Sequence, residues 1–481
     1  MLETINNFLW SKILVFILLP IGLWFTIGSG FVQFRYFGRM FSILGGAFHH
    51  EGDKPTSFQA LALSVAGRVG AGNIAGVAVA ITLGGPGAIF WMWVVGILGM
   101  ATSFFECTLA QAFKRLEHTG EYRGGPAFYI VHGLKTKLGA LAPLLAGLFS
   151  ILLLITFGFA FNVVQSYAVS TSVAGAFSIP PAATGVALAI VIGLIIFGGV
   201  KRIVRVVEFV VPVMAISYIA VALFVLGTHL SALPGVIALI VKSAFGFNAA
   251  IGGGVGAAMT YGVQRGLFSN EAGLGSAPNV AAVAYVPHPA NQGAVQSLSV
   301  FIDTIVICTC TAAIILLSGV AADPNVDGVI LTQTALAAEV GGWANQFVAG
   351  ALMLFVVSSI MYNYYLGENA LDFFVRENKQ AIAIFRVLTL AFVLLGSVMN
   401  LGSAFGFANL TMGALALVNL FALALLFPAA RRLLADFDRQ RKEGGEPVFD
   451  PDAFPDLDID REAWRLLPED QKKLDARRAA P

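Results

Sequence analysis

Residues 64–76 read Ser-Val-Ala-Gly-Arg-Val-Gly-Ala-Gly-Asn-Ile-Ala-Gly and lie inside a stretch apolar enough to cross a bilayer. A helix that only anchored a protein would not carry this density of glycine, with an arginine and an asparagine besides. Glycine weakens a helix by about 1 kcal/mol relative to alanine, and it lets the main chain unwind or meet a ligand closely. At membrane depth, irregular backbone survives only where protein buries it or where it lines a cavity. The segment therefore reads as a broken helix built around a binding site near the bilayer midplane.

Charge distribution sets the class. The chain has 57% hydrophobic and 12% charged residues, against about 25% charged in ordinary globular domains. The charges crowd into the last fifty residues, so what precedes them is an all-α polytopic membrane protein with a short charged tail. A net charge of +1 gives no reason to expect nucleic acid. Cys107, Cys308 and Cys310 have no zinc or disulfide spacing. The six histidines are scattered apart from His49 and His50, and no acid–histidine cluster points to an enzyme. The N-terminus lacks a basic leader and a small-residue cleavage site, so the first apolar run reads as a retained helix.

A span needs about 20 apolar residues. Candidates fall at 8–31, 58–83, 87–113, 141–172, 182–198, 204–228, 234–262, 293–318, 343–366, 381–401 and 405–428, about eleven transmembrane helices. Lys and Arg, Arg265 among them, gather in the connections after the odd-numbered spans, and the other connections have none. That asymmetry puts the N-terminus outside and the tail in the cytoplasm. A second glycine-interrupted segment, 245–256, opens the seventh span. Spans two to six (58–228) and seven to eleven (234–428) then form two sets of five, each beginning with a broken helix. Odd-numbered repeats must be inverted across the membrane, and residues 1–31 remain as an extra N-terminal helix. Residues 429–481 read as a solvated tail, since charged, Pro-rich runs rarely build a core.

Several constellations could carry chemistry. Unwinding at Gly70, Ala71, Gly72 and Asn73 would free amides for a carboxylate at the positive end of the following half-helix, and carbonyls for a cation. Small residues also serve close helix packing. Ser358 and Ser359 offer oxygen to a small hard cation, or bond back to a carbonyl one turn earlier. Asn363 shares the face of Ser359. Asn162 and Gln165 could contact a polar substrate or bridge neighbouring helices. Arg68 could form a gate with an acidic partner such as Glu106. Lys242, Asp303 and Arg386 read as snorkelling charges near span ends. The connection 262–278 is too polar for lipid and reads as a packed cytoplasmic loop, with no chemistry of its own.

That connection, Gly262-Val263-Gln264-Arg265-Gly266-Leu267-Phe268-Ser269-Asn270-Glu271-Ala272-Gly273-Leu274-Gly275-Ser276-Ala277-Pro278, closely resembles the signature of the sodium:alanine symporter family. So do Gly72-Asn73-Ile74-Ala75-Gly76-Val77, Gly84-Gly85-Pro86-Gly87-Ala88-Ile89-Phe90-Trp91-Met92-Trp93 and Gly124-Gly125-Pro126-Ala127. The likeness covers nearly the whole membrane part. It implies a fold similar to that of the bacterial leucine transporter, with one extra helix before two inverted repeats. It also implies a substrate carboxylate held at Gly70, Ala71, Gly72 and Asn73, with Gln165, Phe247 and Asn363 in the pocket. Sodium would sit among the carbonyls of Ala66, Val69 and Phe355 and the hydroxyls of Ser358 and Ser359. Some members have tryptophan in place of Asn363, so this pocket would be roomier or more polar.

The expectation is a sodium-coupled symporter importing a small neutral amino acid, alanine or glycine first and glutamine next, in a bacterial inner membrane. Sodium is the coupling ion, the lipid bilayer the surroundings, and no protein partner can be inferred. The alternatives are a proton-coupled amino-acid transporter and a non-transporting amino-acid sensor.

Overall fold

Apolar runs of this length must satisfy their backbone groups internally, which makes them helices. The computed structural model describes residues 2–46, 55–118, 120–246, 254–320, 322–323, 326–376, 378–399 and 401–479. In chain order the principal helices are α1 (Leu2–Gly28), α2 (Ser57–Arg68), α3 (Gly72–Gly84), α4 (Gly87–Ala112), α5 (Pro126–Gly133) and α6 (Leu141–Phe177). Next come α7 (Pro181–Ile196), α8 (Val200–Thr228), α9 (Leu233–Ala244), α10 (Val255–Asn270), α11 (Ala277–Ala281) and α12 (Pro289–Leu317). The series ends with α13 (Gly328–Val340), α14 (Ala344–Val375), α15 (Lys379–Val398), α16 (Leu401–Lys442) and α17 (Pro468–Ala479). Among the described residues, eight helices are long and apolar enough to cross a membrane, or nine with α2 and α3 taken as one bent span.

The first break is where the sequence puts it. Thr56 and Gln59 start α2 with a reciprocal capping box. Helix α2 stops at Arg68, Val69 is extended, and α3 sets off at 51° to α2.

Most of the expected second interruption, 245–256, lies outside the described residues, and the second break the structure describes is at 271–276. Helix α9 ends at Ala244, and residues 247–253, which include Phe247, lie outside the described residues. The supposed loop 262–278 is mostly helix: α10 runs to Asn270, the chain turns through 271–276, and α11 follows. Glu271 takes a left-handed conformation (φ 56°), as do Gly273 and Gly275. The small residues explain the misreading. A Cβ on Gly262 would lie 2.6 Å from Trp91 Cβ of α4, and one on Gly266 3.3 Å from Val95. Polar side chains that would be costly in lipid face packed protein instead. Helix α10 packs along α3 and α4, while α11 packs against α2 and α4, so the two broken segments lie side by side.

Of four π-helical turns among the described residues, one (Leu9–Leu14) falls in α1 and three, Gly72–Gly76, Leu154–Ala160 and Phe301–Cys308, fall in α3, α6 and α12. Such turns occur often at functional sites, and all three elements meet at the breaks.

The tail is not a loose solvated extension. Helix α16 continues through Lys442, and Val448, Phe449, Phe454, Trp464 and Leu474 are buried. Phe449 N donates to Pro287 O at 2.8 Å, and Trp464 Nε1 to Ala112 O at 3.4 Å. Asp458 meets Arg115 at 3.1 Å and His132 at 2.7 Å. Tyr285, whose amide bonds Pro55 O just before α2, gives its hydroxyl hydrogen to Asp470. Apolar anchors spaced through the charged run hold it against the same side of the bundle from which α2 starts.

Candidate functional site

Unwinding at Val69 leaves carbonyls and amides without helical partners, and specific side chains meet them. Ser359 Oγ of α14 lies 2.9 Å from Ala66 O and 3.2 Å from Val69 O. Ala71 N donates to Gln165 Oε1 of α6 at 3.0 Å, and Gly70 N to Asn73 Oδ1 at 2.8 Å. Glycine at 70 leaves room for both side chains: a Cβ there would sit 2.6 Å from Gln165 Nε2 and 2.7 Å from Ser359 Oγ and displace them. Gly70, Ala71, Gly72, Asn73, Gln165, Ala66, Val69 and Ser359 are all buried and gathered at one point.

The two serines part company. Ser358 Oγ donates to Phe355 O one turn back at 2.9 Å, the local bond, whereas Ser359 reaches across to α2. Asn363 donates to Asn162 Oδ1 at 3.1 Å, so Asn162 bridges two helices while Gln165 holds a freed amide.

Arg68 is 1% exposed and donates to Gln296 O and Ser103 Oγ, each at 3.1 Å, and to Ser299 Oγ. Glu106 instead accepts from Gly273 N at 3.2 Å and Asn419 Nδ2 at 3.1 Å. Among the described residues no ion pair joins Arg68 to Glu106. Glu106 thus ties α4 to the second break.

Asp303 corrects the snorkelling expectation. It is fully buried and accepts from Asn73 Nδ2 at 2.7 Å, Ser269 Oγ at 2.6 Å and Thr304 Oγ1 at 2.8 Å. Its place about ten residues into the 293–318 span, roughly 15 Å deep at 1.5 Å per residue, was the signal for a midplane carboxylate. Glu271, in the second break, accepts from Ser276 Oγ at 2.6 Å and Tyr362 OH at 3.1 Å. The Phe268 ring lies over Gly72 and against Phe161 and Phe405, on the side of the break away from the tail. Nothing local in the sequence distinguishes Phe268 from the other aromatic residues.

A half-helix with its freed carbonyls met by a serine, its freed amides by amide side chains, and a carboxylate one bond away offers groups suited to a small polar solute and a cation. Comparisons with known proteins give the class. The chain belongs to the sodium:alanine symporter family, whose model matches residues 1–451. It is 47% identical to the amino-acid carrier protein AlsT of Bacillus subtilis, over 97% of each chain. It is 46% identical to the "Probable sodium/glutamine symporter GlnT" of the same organism, over 93% of this chain and 92% of the relative. The sodium/proton-dependent alanine carrier protein of Bacillus sp. (strain PS3) is 34% identical over 83% of this chain and 92% of its own length. A manganese transporter variant from Eremococcus coleocola shares the fold at 14% identity, with a TM-score of 0.50 over 78% of each chain. The chain is a multi-pass membrane carrier of the leucine-transporter-like kind, a cation-coupled amino-acid symporter and not an enzyme.

Proposed function

We propose that this carrier couples sodium to the import of a small neutral amino acid, alanine or glycine first and glutamine next, by alternating access. The N-terminus lies outside and the tail in the cytoplasm, and residues 58–228 and 234–428 form two inverted repeats. The observation that carries the cation reading is the convergence of Ser359 Oγ with the carbonyls of Ala66 and Val69. A hydroxyl has one proton and can donate to only one of the two carbonyls at a time. A hard cation among the three oxygens satisfies all of them, and Ser358 Oγ and Phe355 O complete the proposed ligand set. The substrate carboxylate takes the amides of Gly70 and Ala71, now held by Asn73 and Gln165. Asp303, the carboxylate bonded to Asn73, supplies the negative charge for the substrate ammonium. Ion and substrate then close the same contacts, and coupling follows from their differential affinity for the state in which those contacts are closed.

Purified protein in liposomes should take up labelled alanine under an inward sodium gradient and not when potassium replaces sodium. Uptake of glutamine alone would change the substrate. Uptake driven by a pH gradient without sodium would replace this reading with the proton-coupled one, in which Asp303 would carry the proton; the strain PS3 relative is named sodium/proton-dependent. Binding without uptake would make the chain a sensor.

A further inference from the structure

Arg265 stands apart from every contact described above. It lies in α10, three residues before Phe268, and is 4% exposed. The sequence pattern places it in a cytoplasmic connection, yet in the structure its side chain packs beside Gly76 of α3, on the half of the bundle away from the tail. Its guanidinium carbon is 4.8 Å from the centre of the Phe405 ring and 5.8 Å from that of Phe268. Among the described residues, Nε and Nη1 are buried with no hydrogen-bond partner, and Arg265 makes no ion pair. Aromatic faces offset part of the charge, but they accept none of the in-plane N–H bonds. A buried donor left unpaired is costly and calls for an explanation.

We propose that Arg265 is an entry subsite for the α-carboxylate of the transported amino acid. The reading rests on the amino-acid symport proposed above. Phe268 covers Gly72, so a solute approaching from the side away from the tail must pass it. Arg265 is one helical turn further out, about 4.5 Å along the axis, on the face of α10 that Phe268 shares. A planar guanidinium binds a carboxylate through two parallel N–H bonds, along the edge of Nε with Nη2 or that of Nη1 with Nη2, and each edge includes one of the unpartnered nitrogens. The solute is held there while Phe268 moves, then passes to the amides of Gly70 and Ala71. Alanine, glycine and glutamine share this carboxylate, so the subsite selects α-amino acids as a class and leaves side-chain choice to the pocket below.

The test is alanine uptake by the full chain in liposomes, comparing wild type with Arg265→Gln and Arg265→Lys, each checked for a wild-type melting transition in detergent. Arg265→Gln should raise the KM for alanine about tenfold, with a far smaller change in maximal rate. Arg265→Lys, which keeps the charge and loses the fork, should fall between. An unchanged KM in Arg265→Gln, or a loss of maximal rate alone, would overturn the subsite and leave Arg265 as packing. If Arg265→Gln does not fold, a wild-type KM in Arg265→Lys would overturn it equally. A wild type that moves no amino acid would instead defeat the symport reading itself.

Discussion

The broken-helix core and the tail handle charge in opposite ways. In the core Arg68, Arg265, Glu106, Glu271 and Asp303 are buried, yet none makes an ion pair with another. Their partners are hydroxyls, amides, main-chain groups and aromatic faces. In the tail Arg432 pairs with Asp456 at 2.6 Å, Arg461 with Asp452 at 2.8 Å and Arg478 with Asp450 at 2.5 Å. A buried ion pair fixes its geometry, and breaking it leaves an uncompensated charge that costs several kcal/mol. A carrier that cycles between states gains by meeting charges with neutral dipoles, which ions and substrates can replace. At the tail's wet surface an ion pair contributes about 0–1 kcal/mol, so the buried aromatic residues must do most of the holding.

The contrast can be broken or sharpened by substitution. The largest effect is expected at Asn73→Ala, which removes the bonds to Gly70 N and Asp303 together. Uptake should fall at least about a hundredfold, or ~2.7 kcal/mol, with membrane insertion unchanged. Normal transport would show that the core's dipoles are merely structural. Ser359→Ala should come next, raising the sodium concentration for half-maximal uptake about tenfold while the protein folds normally. An unaltered sodium dependence would remove Ser359 from the cation site.

The tail should respond to lost packing before lost charge. Trp464→Ala should weaken docking by ~3 kcal/mol, read as faster hydrogen exchange over residues 443–479. Arg432→Ala should cost less than about 1 kcal/mol by the same readout. The reverse order would mean that charge holds the tail.

The smallest effect is pH dependence. Burial alone would raise the Asp458 carboxyl, but His132 and Arg115 outweigh it and hold it below the ordinary carboxylate value. The bond from Arg432 does the same for Asp456. A lowered folded-state pKa gives stability that is present above the unfolded carboxylate value and lost as pH falls through the folded one. Protection of the tail amides, exchange referred to the intrinsic rate at each pH, should therefore stay level from pH 8 to 5 so far as these two carboxylates govern it. A sharp loss of protection across that window would show that groups other than Asp456 and Asp458 set the docking.

What local physics can write is legible along the chain. Apolar runs specify helices, and clustered glycines with Asn73 specify a break. The pairing of Ser359 with α2 was legible through resemblance, and Gln165 was named with its role left open. The remainder came from contacts between distant segments. The stretch 262–278 looked like a loop because polarity says what a residue avoids, lipid, and not whether protein stands there instead. Asp303 looked peripheral and Arg265 cytoplasmic for the same reason: depth and partner depend on which helix packs alongside. The tail looked solvated because charge dominates its composition, whereas a few aromatic residues at fitting positions determine whether such a chain docks. Composition adds over residues, but burial depends on the surface opposite, and that surface comes from distant parts of the chain.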